Sequence, residues 1–208
     1  MKICTQAKFY TATIFFFGVF LSVTTLQAQS ITVLGGSSAR DCYETAAFSV
    51  RISDASRSDL RDCNDAIFHG RLNRRDLTAT YINRGIINVH IGDVEKAEQD
   101  YLTALDMSDR TPETFLNLGN LQFMMSNFHR AVADYDHAES LGFRQQRILF
   151  LNRGMALARL GSLDEAEAEY LKALELRPTW SQAIDKLEDL NEKRRELAEA
   201  AAANVVTE

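Results

Sequence analysis

The sequence predicts an all-α chain of stacked helix-turn-helix units, and three observations carry that prediction. Only 2 prolines and 10 glycines occur in 208 residues, too few for collagen-like, proline-rich or low-complexity chains or for a turn-dense β fold. Gly85, Gly119 and Gly154 recur at spacings of 34 and 35, each closing one phrase: Tyr81-Ile82-Asn83-Arg84-Gly85, Phe115-Leu116-Asn117-Leu118-Gly119 and Phe150-Leu151-Asn152-Arg153-Gly154. A second phrase follows in step: Ala97, Tyr101 and Ala104, then Ala131, Tyr135 and Ala138, then Ala166, Tyr170 and Ala173. A period of 34 with this pattern signals a helical array in which each unit buries its apolar face only against its neighbours.

Residues 1–28 read as a cleavable secretory leader. Lys2 and Lys8 precede the apolar run Ala12 to Val23, and Leu26-Gln27-Ala28 ends in the small residue a leader peptidase requires. The run is shorter than the ~20 residues of a membrane span, which disfavours the alternative of an uncleaved anchor, and no stable membrane insertion is expected after cleavage. Cys4 precedes the run and no cysteine marks the cleavage point, so a lipoprotein is not expected. Without the two leader lysines, 21 basic face 29 acidic side chains, more acidic than the whole-chain charge of −6. That balance, with no basic run, argues against nucleic acid as a partner. The leader places the mature chain in the periplasm of a diderm bacterium or outside the cell.

Residues 29–39 read as a flexible segment and 40–77 as a degenerate helical hairpin. Cys42 and Cys63, the two thiols of the exported chain, lie in similar phrases 21 residues apart. In an oxidising compartment a disulfide is the first expectation, with two buried free thiols as the alternative. A redox-active pair is disfavoured, because such pairs occur as Cys-x-x-Cys. Ser56 and Asp59 form a capping box for the second helix of this hairpin.

Three units follow, over 78–111, 112–146 and 147–180. In each, the glycine and the alanines let two helices approach closely, and aromatic rings fill the space where the helices splay. A glycine inside a helix costs ~1 kcal/mol against alanine, so its periodic return reflects a packing need. Thr111-Pro112 starts the second unit, and Ser162 with Glu165 caps the second helix of the third. The extra residue of the 35 spacing is expected near Leu141 to Arg144, since loops absorb insertions cheaply. Thr179 with Gln182 opens a closing helix over 181–203, where Trp180, Ile184, Leu187 and Leu190 trace an apolar stripe.

Residues 78 to 180 resemble three consecutive tetratricopeptide repeats. The aromatic, glycine, alanine, tyrosine and alanine positions are filled in all three units, and the consensus proline is Pro178 in the third. Asp109 and Phe143 replace that proline elsewhere, and Arg84 and Arg153 replace the usual leucine before the glycine. The resemblance implies a right-handed α-solenoid whose first helices line a concave peptide-binding groove. Carried over residue by residue, the groove comprises Ile82, Ile86 and Val89, then Leu116, Asn120, Phe123 and Met124, then Ile148, Leu151, Met155 and Arg159. The family's carboxylate clamp needs polar groups where Ile82, Ile86, Ile148 and Asn152 stand, which argues against chaperone-tail binding. Asn83, Asn117 and Asn152 recur, equally consistent with binding and with support of the backbone.

A largely apolar groove needs a cover. The favoured occupant is a peptide or helix of an envelope partner, anchored at Phe123 and Met124, which makes the chain an adaptor or assembly factor. The alternative is self-cover, by the stretch Ser30 to Leu34 or by a neighbouring copy, hence a possible homo-oligomer. An enzyme is not expected, nor a cofactor or a metal. His69, His90, His129 and His137 are scattered, and Asp164, Glu165, Glu167 and Glu169 read as a solvated helix face near its N-terminus.

Overall fold

The computed structural model describes residues 26–33, 36–108 and 110–205. Most of the expected leader, residues 1–25 with Cys4, lies outside the described residues. The described chain is all-helical: α1 (Ser37–Ile52), a 3-10 turn (Arg57–Leu60), α2 (Arg61–His69), α3 (Arg74–Ile91), α4 (Val94–Met107), α5 (Pro112–Met124), α6 (Phe128–Ser140), α7 (Gln146–Leu160), α8 (Leu163–Leu176) and α9 (Ser181–Val205). The pairs α3/α4, α5/α6 and α7/α8 are the three units. The hairpin α1/α2 precedes them, and α9 closes the array against α8 and α7.

Within each unit a glycine of the first helix lies directly against a tyrosine of the second. A Cβ built on Gly119 would lie 2.5 Å from the Tyr135 ring, and the equivalents meet Tyr101 at 2.5 Å from Gly85 and Tyr170 at 2.6 Å from Gly154. The second-helix rings therefore sit directly on the glycines, and do not fill a splayed region as the sequence suggested. All three tyrosines are fully buried. Burial pushes each phenol's pKa well above its usual value.

Two cores run through the stack. One joins α1 and α2 to the first unit around Cys42, Cys63, Ile82, Ile86 and Tyr101. The other fills the second and third units and the closing helix, from Leu116 and Tyr135 to Trp180 and Leu190. Cys42 and Cys63 are bonded to each other, with Cα atoms 4.7 Å apart and both side chains buried. The link ties α1 to α2 at the array's N-terminal end, where the hairpin packs on α3.

The Ser56 capping box forms, with both reciprocal hydrogen bonds. Pro112 occupies the first turn of α5, and Gly92 and Gly161 end α3 and α7 in the left-handed conformation at φ +86° and +84°. The extra residue falls where expected: residues 141–145 link α6 to α7, one residue more than 108–111 between α4 and α5. The Thr179 box does not form, because α9 starts at Ser181 and the Gln182 carboxamide accepts from Trp180 Nε1 at 3.1 Å. Ser162 stands before α8 without a side-chain cap bond.

The largest correction at the N-terminus concerns residues 29–33. Expected as part of a flexible segment 29–39, they run extended along the first helices, with Val33 buried against Ala39, Ala66 and Ala79. Helix α1 then begins at Ser37, inside that same stretch.

Candidate functional site: a concave groove that grips main chain

The groove is built by α3, α5 and α7, whose recurring asparagines share one face because the unit repeats. Each of these side chains meets an extended segment formed by residues 26–33. Asn83 donates through Nδ2 to Ile31 O and accepts from Ile31 N, both at 2.8 Å. One unit on, Asn117 does the same with Gln29 O and Gln29 N, both at 3.0 Å. The chain advances two residues per unit, the side-chain period of an extended strand. A carboxamide offers one donor and one acceptor side by side, so it satisfies both polar groups of a single residue whatever its side chain.

The third unit departs from that pattern. Asn152 Nδ2 lies 3.5 Å from Gln27 O and donates to Asn120 Oδ1 at 2.8 Å. Asn120 donates to Gln27 O at 3.1 Å and accepts from the Tyr135 hydroxyl at 2.9 Å. Asn152 Oδ1 is buried without a hydrogen-bond partner among the described residues. Around these asparagines, side chains of the segment fix its register. Gln27 Nε2 donates to Gln182 Oε1 at 2.6 Å, and Gln145 Nε2 donates to Gln29 Oε1.

The apolar groove positions divide by depth. Ile82, Ile86 and Leu116 are fully buried and Ile148, Leu151 and Met155 nearly so, in the two cores. Leu26 packs on the core of the second and third units, while Ala28 and Ile31 pack on the core of the first. Val89, Asn120, Phe123, Met124 and Arg159 come together around a cavity of about 400 Å³, bordered also by Leu26, Ala28 and His90. Met124 is 51% exposed, and the Arg159 guanidinium lies over the Phe128 and Phe123 rings. Burial lowers the His90 pKa against the opposing pull of Asp54, which favours a neutral imidazole at the rim.

Self-cover, the alternative on sequence grounds, is thus what the groove displays in the full chain. It involves Leu26 to Val33, more of the N-terminus than the stretch from Ser30. The asparagines, equally readable as binding or supporting residues, bond the segment's main chain. The sequence marks Gln27 only within the cleavage point and Gln182 only as a cap, and Gln145 not at all. They lie in three separate places in the sequence, and no pattern links them.

A second polar system lies between the helices of the first and third units. Arg84 forms a two-point ion pair with Asp100, Nη2 to Oδ1 at 2.6 Å and Nε to Oδ2 at 3.0 Å, and donates to Asn64 Oδ1. Arg153 pairs with Glu169 at 2.8 Å and also reaches Asp136 and Glu139. Glu169 therefore corrects the solvated-face expectation: it is 5% exposed, because an arginine in place of the leucine before Gly154 brings a guanidinium into the interface. Asp164 and Glu167 of the same helix pair with Arg194 of α9. The second unit has Leu118 at the arginine position. Sixteen residues on, Asp134 has its pKa raised to about 6, chiefly by burial.

No group of three or more His, Cys, Asp or Glu could hold a metal ion among the described residues. His137 stacks on Phe115 with ring centroids 4.2 Å apart. Among the described residues, no helix is long and apolar enough to cross a membrane.

A family model described as tetratricopeptide repeat matches residues 148–180. Among curated proteins, mouse Tetratricopeptide repeat protein 16 is 25% identical, over 69% of this chain and 22% of that protein. The TPR repeat-containing thioredoxin TTL4 of Arabidopsis thaliana is 34% identical, over 54% of this chain and 16% of that protein. The chain thus spans about a fifth of the length of the curated relatives it matches. Among solved structures, MamA residues 41 to the end from Desulfovibrio magneticus RS-1 superposes with a TM-score of 0.59 at 15% identity, covering 80% of this chain and 91% of that one. The first TPR of Spaghetti (RPAP3), bound to the HSP90 peptide SRMEEVD, superposes with a TM-score of 0.53 at 24% identity, covering 57% and 93%. These superpositions establish the same helical solenoid.

Proposed function

The chain belongs to the tetratricopeptide-repeat family, and from that premise we propose that it is an exported interaction module whose groove holds an extended segment of an envelope partner by its main chain, as an adaptor or assembly factor. The observation that carries this reading is the repeated carboxamide clasp. Asn83 and Asn117 each satisfy both main-chain groups of one residue of the chain's own extended strand, and Asn120 and Asn152 would offer the same bonding to a partner. A site of this kind selects an extended backbone first and side chains second. Phe123 and Met124, at the mouth of the groove, supply the apolar contact for them. The leader-like N-terminus supports an oxidising, extracytoplasmic setting, in keeping with the bonded Cys42 and Cys63.

The test is photo-crosslinking from position 124 in the native compartment. A specific adduct that disappears in Phe123→Glu, with the helical circular dichroism unchanged, supports the reading. An adduct of equal yield in Phe123→Glu contradicts it.

One observation favours a second reading, that of a self-associating protein. The chain's own residues 26–33 fit the groove, so the same segment from a second copy fits it too. Light scattering on the purified protein distinguishes the two, with a concentration-dependent dimer in favour of exchange between copies.

A further inference from the structure

The expected cleavage point divides the segment into two parts that are held very differently. On its C-terminal side lie the two complete clasps, Asn117 on Gln29 and Asn83 on Ile31, followed by the buried Val33. On its N-terminal side lie Leu26, Gln27 and Ala28, where the third clasp is half made. Gln27 O accepts from Asn120 and, at 3.5 Å, from Asn152, while Asn152 Oδ1 has no partner among the described residues although Asn152 is 0% exposed. An unsatisfied buried carboxamide oxygen costs ~1–3 kcal/mol wherever it persists. Its counterparts in the other two units each accept a main-chain N–H.

We propose that removal of the leader after Ala28 converts this end of the groove from a filled into an open subsite, which takes the C-terminal end of an extended partner segment. The proposal deepens the reading of the groove as a partner-binding site and rests on it. Hydrolysis of the Ala28–Gln29 peptide bond, with water as co-reactant and a leader peptidase as catalyst, leaves a carboxylate on Ala28 and an amine on Gln29. Residues 29–33 keep both complete clasps. The new Gln29 amine keeps the Asn117 Oδ1 acceptor, now as a charge-assisted bond. Leu26 to Ala28 leave with the leader, and Asn120, Asn152, Phe123, Met124 and Arg159 face the space they occupied.

The chemistry of the occupant follows from what departs. It is extended, places an apolar side chain where Leu26 packs, presents a carbonyl to Asn120, and carries an N–H that reaches Asn152 Oδ1. Gln29 blocks onward passage, so the segment ends there in a small residue, its terminal carboxylate beside the Gln29 amine. Opposite charges meeting end to end favour a free C-terminus over a passing chain.

The probe is an acetylated, fluorescent peptide Thr-Thr-Leu-Gln-Ala with a free carboxylate. It is titrated against the exported protein, made from the full gene with its N-terminus read by mass spectrometry, and against the unprocessed full chain made without export. The processed protein is expected to begin at Gln29 and to bind saturably, with affinity at least about tenfold above that of the unprocessed chain. Asn152→Leu, or Met124→Glu at the exposed rim should the first fail to fold, cuts binding by about tenfold, and the carboxamide-ended probe binds several-fold more weakly. An N-terminus upstream of Leu26, no saturable binding, or equal binding by both forms overturns the proposal. If the probe fails while the position 124 crosslink still depends on Phe123, this inference alone falls; if both fail, the groove reading falls with it.

Discussion

The Asn83 carboxamide and the Ile31 peptide group face each other across 52 residues of sequence, exchanging two hydrogen bonds of 2.8 Å. Asn83 is fully buried, so water cannot replace either bond without opening the groove. In Asn83→Asp the carboxylate keeps the acceptor but meets Ile31 O with a second oxygen. The segment should be released by more than the ~1 kcal/mol of a single lost hydrogen bond. Limited proteolysis of the unprocessed full chain between residues 26 and 33 reads this directly, and cleavage is expected to be several-fold faster in the variant. Unchanged cleavage would show that the clasp does not hold the segment.

Gly119 lies under the Tyr135 ring with no room for a methyl group, since an added Cβ would approach Cε1 to 2.5 Å. Gly119→Ala gains ~1 kcal/mol of helix propensity but must displace a fully buried ring, and overpacking of this kind costs ~1–3 kcal/mol. A lower urea midpoint is expected. A higher one would mean that the helices separate freely there.

Asp134 carries a carboxyl whose pKa is pushed up to about 6, burial outweighing the pull of His137 and Arg130. Its folded value exceeds its unfolded one, so the folded chain binds that proton more tightly. This contribution grows as pH falls from 7 through 6 toward 4, and at neutral pH the ionised group costs stability. Asp134→Asn is expected to flatten that segment of the stability profile. At pH 7 it should stabilise the chain by on the order of 1 kcal/mol, a figure reduced for the solvent the half-buried group retains. Leu118→Arg should act in the same direction by supplying the partner that Arg84 and Arg153 give Asp100 and Glu169. Urea midpoints at pH 5 and 7 check both, and parallel profiles in wild type and Asp134→Asn would contradict the assignment.

The bonded Cys42 and Cys63 close a loop of 21 residues. In the chain-entropy model this contributes ~3 kcal/mol, so reduction should lower the melting temperature and loosen α1 first. A thiol titration of the denatured, unreduced chain starting at Gln29 should find no free thiol. Two free thiols would refute the link.

The repeat frame was legible because glycine, alanine and tyrosine are forced by helix spacing, and that constraint repeats with every unit. The asparagines were legible as a period but not as a function, since the group they bond lies 52 to 125 residues away on a segment without periodicity. Leu26 to Ala28 escaped notice for a related reason. Their sequence reads as an expected cleavage point, which says nothing about what they touch in the full chain. Glu169 was misread because a helix surface and a helix interface look alike when the partner, Arg153, sits on another helix in a place the family gives to leucine.

The groove grips an extended main chain through its asparagines. Amide hydrogen exchange at Gln29 and Ile31 of the unprocessed full chain, where both residues carry a peptide N–H, reads that grip. Strong protection of both amides is expected, lost by about fivefold or more at Ile31 in Asn83→Ala and at Gln29 in Asn117→Ala, as ~1 kcal/mol per bond requires. Exchange of both amides at unstructured-chain rates in the wild-type protein would contradict it.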